Sequence, residues 1–457
     1  MASSGSKRID LTQGPPVKGI VSFALPLLAS SVIQQLYSTV DLLFVGNILG
    51  TSSIAAVGIS VLLIACLVGF LTGASTGSNV VIAQAFGAGD ERRVRSGLAS
   101  SVALGLMLGA ALALVGWLSA PSFVAWMRTP AEAADDALAY LRVYFIAMVA
   151  VSLYNLCAGA SRALGDSSTP MVAQAVGGVM NIAANWLFLC ALGMGVEGVA
   201  LATLLSNLAA AGLVAQRLFR EGSLGADGGM GAHIDFRQIR AMLAVGLPIG
   251  IQAFAISLSN VFVQHQINLM GVDTVAAFAT YFKVELPMFY VILALGQTTT
   301  TFVAQNHGAG REDRCRKGVR ISLIVALAAT LGLSALMLSV GYWAFWVFDE
   351  DPAVIETGLR IIAVTFPFYF LYVFHQVLGD ALRGYGATLG PMAVVVANIC
   401  VVRTVLLALF TAQAPSVEAV AAVYPVTWAA TSVSMAVLYV RHRRRCAARE
   451  ARGRAGA

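Results

Sequence analysis

The sequence predicts an all-α integral membrane protein of twelve transmembrane helices in two six-helix lobes related by pseudo-twofold symmetry. Three observations carry that prediction. Of 457 residues, 58% are hydrophobic and 11% charged, whereas ordinary soluble domains carry roughly 25% charged residues. Apolar runs of about twenty residues, the length that spans a bilayer as a helix, recur along almost the whole chain without the alternation of barrel strands. The chain also repeats itself. Leu25-Pro26 returns as Leu247-Pro248, Gln84 with Gly87-Ala88-Gly89 as Gln305 with Gly308-Ala309-Gly310, and Arg162, Gly165, Pro170 and Met171 as Arg383, Gly386, Pro391 and Met392. An even number of spans between equivalents gives the two halves one orientation, about an axis along the membrane normal.

Hydropathy and break residues place the spans at 18–44, 54–84, 94–119, 138–161, 170–192, 197–219, 238–267, 275–304, 319–347, 357–381, 391–412 and 417–440. The first is interrupted by Pro26 and carries Asp41. The second and eighth end at the two Gly-Ala-Gly turns, which read as helix C-caps. The fourth follows Glu132, Asp135 and Asp136 and stops at Arg162, and the fifth starts at Pro170. The second half repeats this order. Its spans seven to twelve are preceded by a polar, Gly-rich linker at 222–233. The organisation expected is a cytoplasmic tail at 1–16, an N-lobe at 17–219, a linker at 220–236, a C-lobe at 237–441 and a basic cytoplasmic tail at 442–457. No short apolar segment with a cleavage site precedes the first span, so no cleaved signal peptide is expected.

Charge tests the count. With both termini inside, most of the 29 Lys and Arg fall in inner segments. These include Arg92, Arg93 and Arg95, then Arg311, Arg314, Arg316, Lys317 and Arg320, and finally the run from Arg441 to Arg445. Outer loops carry acid instead, as at Asp349-Glu350-Asp351, which is the distribution the positive-inside rule demands. The net charge of +6 therefore reports orientation and contact with the lipid bilayer, and no nucleic-acid partner is expected. The six cysteines and the isolated His265, His307 and His375 show no metal-ligand spacing, so neither metal nor cofactor is expected. No paired acids, nucleophile with base, or metal ligands stand out, and an enzyme is not expected.

An ionised carboxylate in hydrocarbon is costly, so an intramembrane Asp faces protein or a wet cavity and is a functional candidate. Asp41 meets that description; the competing reading makes it a polar helix end at the headgroups. Helix rise places Asn181 and Asn185, one turn apart on one face of span five, roughly 16 and 22 Å above Pro170. Thr203 and Tyr140 fall in the same upper half. The sequence thus allows a cluster of one acid, two amides, a hydroxyl and a phenol; the alternative for the amides is plain interhelical hydrogen bonding. Pro26 is either a moving bend or a static kink. Gln34 and Tyr37 are candidates to line the same cavity. In the second half Lys283, Glu285 and Arg403 either line a substrate cavity or form structural pairs, and Glu285 is an expected mate for Arg403.

The Leu-Pro openings, the segment Val40-Asp41-Leu42-Leu43-Phe44-Val45-Gly46, both Gly-Ala-Gly turns and Arg162-Ala163-Leu164-Gly165-Asp166 together resemble the multidrug and toxic compound extrusion (MATE) family over roughly residues 17–440. The resemblance implies a bacterial inner-membrane antiporter, its lobes forming a V around a central cavity. Such a protein exports amphipathic or cationic organic compounds in exchange for inward protons or sodium. It implies a cation-coupling site at Asp41, Tyr140, Asn181, Asn185 and Thr203, with Pro26 as the bend. The chain is closer to the DinF-like branch, since the place of the NorM-like glutamate is Ile256. Where many relatives hold a second aspartate stands Asn185. A hard cation wants several oxygen ligands, whereas protonation needs one carboxylate, so H+ is expected over Na+. A monomer is expected. The alternative function is a lipid-linked oligosaccharide flippase, which would want more cavity cations than Lys283 and Arg403.

Overall fold

The computed structural model describes residues 8–220, 233–413 and 416–455. Most of the linker at 221–232 and the first seven residues of the N-terminal tail lie outside these. Among the described residues there are no strands, and twelve helices are long and apolar enough to cross a membrane. They are α1 (Pro16–Leu49), α2 (Thr51–Gly87), α3 (Glu91–Trp126), α4 (Ala131–Ala163), α5 (Ser168–Ala191) and α6 (Val196–Arg220), then α7 (Phe236–Asn268), α8 (Val272–Gly308), α9 (Glu312–Trp346), α10 (Pro352–Gly384), α11 (Leu389–Ala412) and α12 (Val417–Ala455). Each expected span lies on one of them. Most run several residues past the hydropathy limits, because polar caps rather than apolar content end them. Asp90 caps α3 by accepting from the Arg93 amide at 3.0 Å, and Asp351 caps α10 by accepting from Ala353 at 2.9 Å.

Three helices contain a π-helical turn: Val45–Leu49 in α1, Trp186–Ala191 in α5 and Val396–Val402 in α11. In α10, Pro367 sits in a 3-10 turn at Phe366–Phe368. Pro26, expected to break α1, does not interrupt it; the helix runs through as Pro16–Phe44. A proline removes one hydrogen bond of the ladder, and buried Phe23, Ala24 and Leu27 hold both flanks.

The chain divides into two compact units. One comprises Met1–Gly14, Val21–Gly250 and Ala304–Gly310; the other comprises Pro15–Ile20, Ile251–Val303 and Arg311–Ala457. In the first, α4 is the central element and packs on α2, α3 and α6, while α5 packs on α6. Its apolar core includes Ile82, Leu98, Leu104, Leu156 and Val214. In the second, the Tyr369–Gly384 half of α10 packs on α12 and α9 around Val319, Leu378, Leu382 and Met435.

The first unit also holds a strap from the N-terminal tail. The Ile9 amide donates to the Gly165 carbonyl at 3.0 Å, the Leu11 amide to Gln305 Oε1 at 3.1 Å, and Asn306 Nδ2 to the Leu11 carbonyl at 3.1 Å. Gly165 adopts φ +84°, and a Cβ there would stand 2.1 Å from the Ile9 carbonyl oxygen, so only glycine fits beneath the strap. Gln305, fully buried, also donates to the Ala163 carbonyl at 2.8 Å. Truncation of a buried group that satisfies both a donor and an acceptor leaves two polar atoms stranded, at about 1–3 kcal/mol each. Gln305→Ala is therefore expected to lower the detergent melting temperature by several degrees, and an unchanged melt would show that Gln305 does not hold the strap.

Candidate functional site

Asp41 stands near the end of α1, one turn before its π-turn, and Asn185 immediately before the π-turn of α5. A π-turn inserts an extra residue, which re-aims side chains and is frequent at functional sites. Here Asn185 Nδ2 donates to Asp41 Oδ1 at 2.5 Å and to Asn181 Oδ1 at 3.2 Å. Both asparagines are fully buried. Asn181 Nδ2 and Asn185 Oδ1 remain without a hydrogen-bond partner. One buried donor and one buried acceptor thus stand unused beside a half-buried carboxylate, an arrangement that buried polar groups avoid unless something else occupies them.

Phenols surround this acid. Tyr37, one turn before Asp41 on α1, accepts from Gln174 Nε2 at 3.1 Å. Tyr140 is buried on α4, and its ring lies 5.7 Å from that of Tyr144. Tyr37, Tyr140 and Tyr144 all lie within electrostatic reach of Asp41. Gln34 is exposed on α1 near Tyr37. Thr203 departs from the expected cluster, since its hydroxyl donates to the Val199 carbonyl at 3.1 Å on its own helix. A helical threonine always has that carbonyl within reach, and here it is preferred. Tyr144 and Gln174 join the cluster without having been expected in it. The available signal is spacing: Tyr144 is one turn from Tyr140 on the same face of α4.

In the second unit, Glu285 Oε2 accepts a hydrogen bond from the Tyr369 hydroxyl, whose oxygen is 3.5 Å from that of Tyr281. Lys283 turns the other way, its ammonium 5.3 Å from the centre of the Phe348 ring. Arg403 does not pair with Glu285. It follows the π-turn of α11 and donates from Nε and Nη2 to Ser259 Oγ at 3.1 and 2.8 Å, and from Nη2 to Asn260 Oδ1 at 2.8 Å. Neutral oxygens on α7 lie closer to the guanidinium than the acid on α8, which a sequence position cannot reveal. Among the described residues no group of three or more His, Cys, Asp and Glu is placed to hold a metal ion.

The family model MatE matches the chain twice, over residues 26–187 and again over 248–409, which bears out the internal repeat. Among curated proteins, the probable multidrug resistance protein YoeA of Bacillus subtilis is 28% identical over 81% of this chain and 82% of its own length. The multidrug export protein MepA of Staphylococcus aureus is 24% identical over 82% and 84%. Among solved structures, an outward-facing multidrug resistance MATE family transporter of the MOP superfamily superposes with a TM-score of 0.88 at 22% identity, over 98% of this chain and 99% of that one. A MOP superfamily transporter from Pyrococcus furiosus superposes equally, at 0.88 and 21% identity over 98% and 99%. These structures share the fold.

Proposed function

Because the chain belongs to the MatE family of multidrug efflux transporters, we propose that it is a secondary active antiporter that exports amphipathic or cationic organic compounds in exchange for inward protons. It is a multi-pass membrane protein; the charge distribution supports a bacterial inner-membrane location with both termini cytoplasmic. The observation that carries the coupling mechanism is the hydrogen bond from Asn185 to Asp41 beside an unpartnered amide donor and acceptor. Asp41 is the titrating residue. A proton neutralises it and removes the cost of burying a charge. An organic cation is held by the ionised form. Two ligands that prefer opposite charge states of one carboxylate compete, and that competition, coupled to alternating access, is exchange.

Proton coupling is supported by the oxygen inventory. With Asn185 in place of a second carboxylate, the cluster offers Asp41 and one free amide oxygen, too few to replace the hydration of a hard cation. Ile256 packs on the apolar core of the second unit, which supports the DinF-like assignment, with coupling at Asp41 rather than at an acid in that position. The test imposes a pH gradient without sodium and then a sodium gradient at equal pH on the same proteoliposomes. Export of a fluorescent cation is expected with the first alone; export with sodium alone would overturn proton coupling. Asn185→Asp should strengthen sodium binding by about tenfold or more, because unit charges 4 Å apart attract by about 4 kcal/mol at an effective dielectric near 20.

Orientation is tested separately. In a background without native cysteines, Glu350→Cys is expected to react with impermeant thiol reagents from outside and Lys317→Cys only from inside. Both positions are exposed, so opposite labelling would invert the topology.

A further inference from the structure

We propose that the second unit carries a subsite for zwitterionic aromatic compounds, in which Arg403 takes the carboxylate and Glu285 the cationic nitrogen. The proposal rests on the transporter reading and names a substrate class for it.

Arg403 is only 5% exposed, yet its hydrogen-bond acceptors are neutral: Ser259 Oγ twice and Asn260 Oδ1 once. Ser259 donates its own proton to the Ile399 carbonyl at 2.9 Å, so its lone pairs are committed to the guanidinium and the side chain is fixed. The guanidinium carbon lies 5.8 Å from the centre of the Tyr424 ring. The Nη1 edge, with two N–H groups, has no protein acceptor among the described residues. A guanidinium held by one edge with the other edge unused is preorganised for a carboxylate.

Glu285 mirrors this. It accepts from the Tyr369 hydroxyl, and no Lys or Arg pairs with it among the described residues. Nearby Lys283 is directed at Phe348 instead. Between acid and guanidinium runs a continuous aromatic wall. Tyr369 contacts Trp428 with ring centres 4.7 Å apart, and Trp428 contacts Tyr424 at 5.9 Å and Tyr372 at 5.6 Å. Tyr372 and Tyr424 feel both charges. Glu285, Tyr372 and Tyr424 are half-buried and Asn260 is exposed, so the wall has an open edge.

Two opposite charges in a membrane protein are least costly when they meet, and unpaired ones mark ligand or ion pathways. Here they are kept apart by rings. A purely cationic ligand would leave Arg403 unpaired, and an anionic one would leave Glu285 so. A compound with one charge of each sign, separated by a flat aromatic framework, satisfies both and stacks on the wall between them.

The test uses rhodamine 110, a zwitterion at neutral pH, and rhodamine 123, its cationic methyl ester. Binding of each to the purified full-length protein is followed by fluorescence polarisation. The wild type is expected to prefer the acid to the ester by about tenfold, the scale of one bidentate charge-assisted contact. Arg403→Gln is expected to abolish that preference, Arg403→Lys to retain part of it, and Glu285→Gln to weaken both dyes. Ester binding by each variant reports that the protein is folded. Equal affinity of the wild type for acid and ester, no binding of rhodamine 110, or an equal loss of both dyes in Arg403→Gln would overturn the subsite. Binding that persists without gradient-driven transport of either dye would instead overturn the antiporter reading.

Discussion

Replacing Asp41 by Asn is expected to reduce gradient-driven export to the level of protein-free liposomes while leaving a folded, inserted protein. The two outcomes separate because the substitution is nearly isosteric. An asparagine at this position still presents an oxygen to Asn185 Nδ2, the donor now 2.5 Å from Asp41 Oδ1, so the link between α1 and α5 survives. What disappears is the capacity to exist in two charge states. An antiporter whose two ligands discriminate between those states loses the free-energy difference that couples them, and a ligand with equal affinity for both states shifts nothing. Melting temperature and dye binding report folding; export under a pH gradient reports coupling. Full export by Asp41→Asn would remove Asp41 from the mechanism, whatever else the cluster does.

Most of the architecture is legible in the sequence because the membrane leaves few choices. A backbone in hydrocarbon must satisfy its own hydrogen bonds, so apolar runs become helices, and the basic loops order them. Other features leave little trace. The π-turns that follow Asp41 and Asn185 arise from one extra residue in a helix and alter neither hydropathy nor charge. Asp41, Asn181 and Asn185 are readable as neighbours because helix rise and facing are arithmetic. That arithmetic does not exclude Thr203, since its choice between a neighbour and its own helix depends on rotamer. Glu285 and Arg403 fall at comparable depth but on α8 and α11, and depth alone does not say which helix supplies a partner. By sequence the strap is part of a polar tail; Leu11, buried to 1% exposure, is one apolar residue among polar ones, too little to produce a periodic signal.

The repeated Gly-Ala-Gly turns show how one motif can hold two physical reasons, and they carry the second large expected effect. Gly89 and Gly310 adopt φ +69° with open space where a Cβ would stand, and they are the expected C-caps. Gly87 and Gly308 have ordinary helical backbone and face the opposite helix. A Cβ on Gly87 would lie 1.9 Å from the Gln305 carbonyl oxygen, and one on Gly308 would lie 2.0 Å from that of Gln84. A backbone oxygen cannot rotate away as a side chain can, so α2 and α8 must separate at their ends. Those ends include Gln305 and Asn306, which hold the strap. Gly87→Ala and Gly308→Ala are each expected to cost about 1–3 kcal/mol or more, the range of forced overpacking. Because both open the same crossing, the double variant should cost less than the sum of the singles. Gly89→Ala, which meets no neighbour, should cost only about 1 kcal/mol, the strain of a left-handed alanine. Export should fall with Gly87→Ala and Gly308→Ala, since an alternating-access cycle cannot re-form a closure whose backbones no longer meet. Melting curves of the four variants decide it: if Gly87→Ala melts like the wild type, or if the double variant is additive, the two helices do not cross through these glycines.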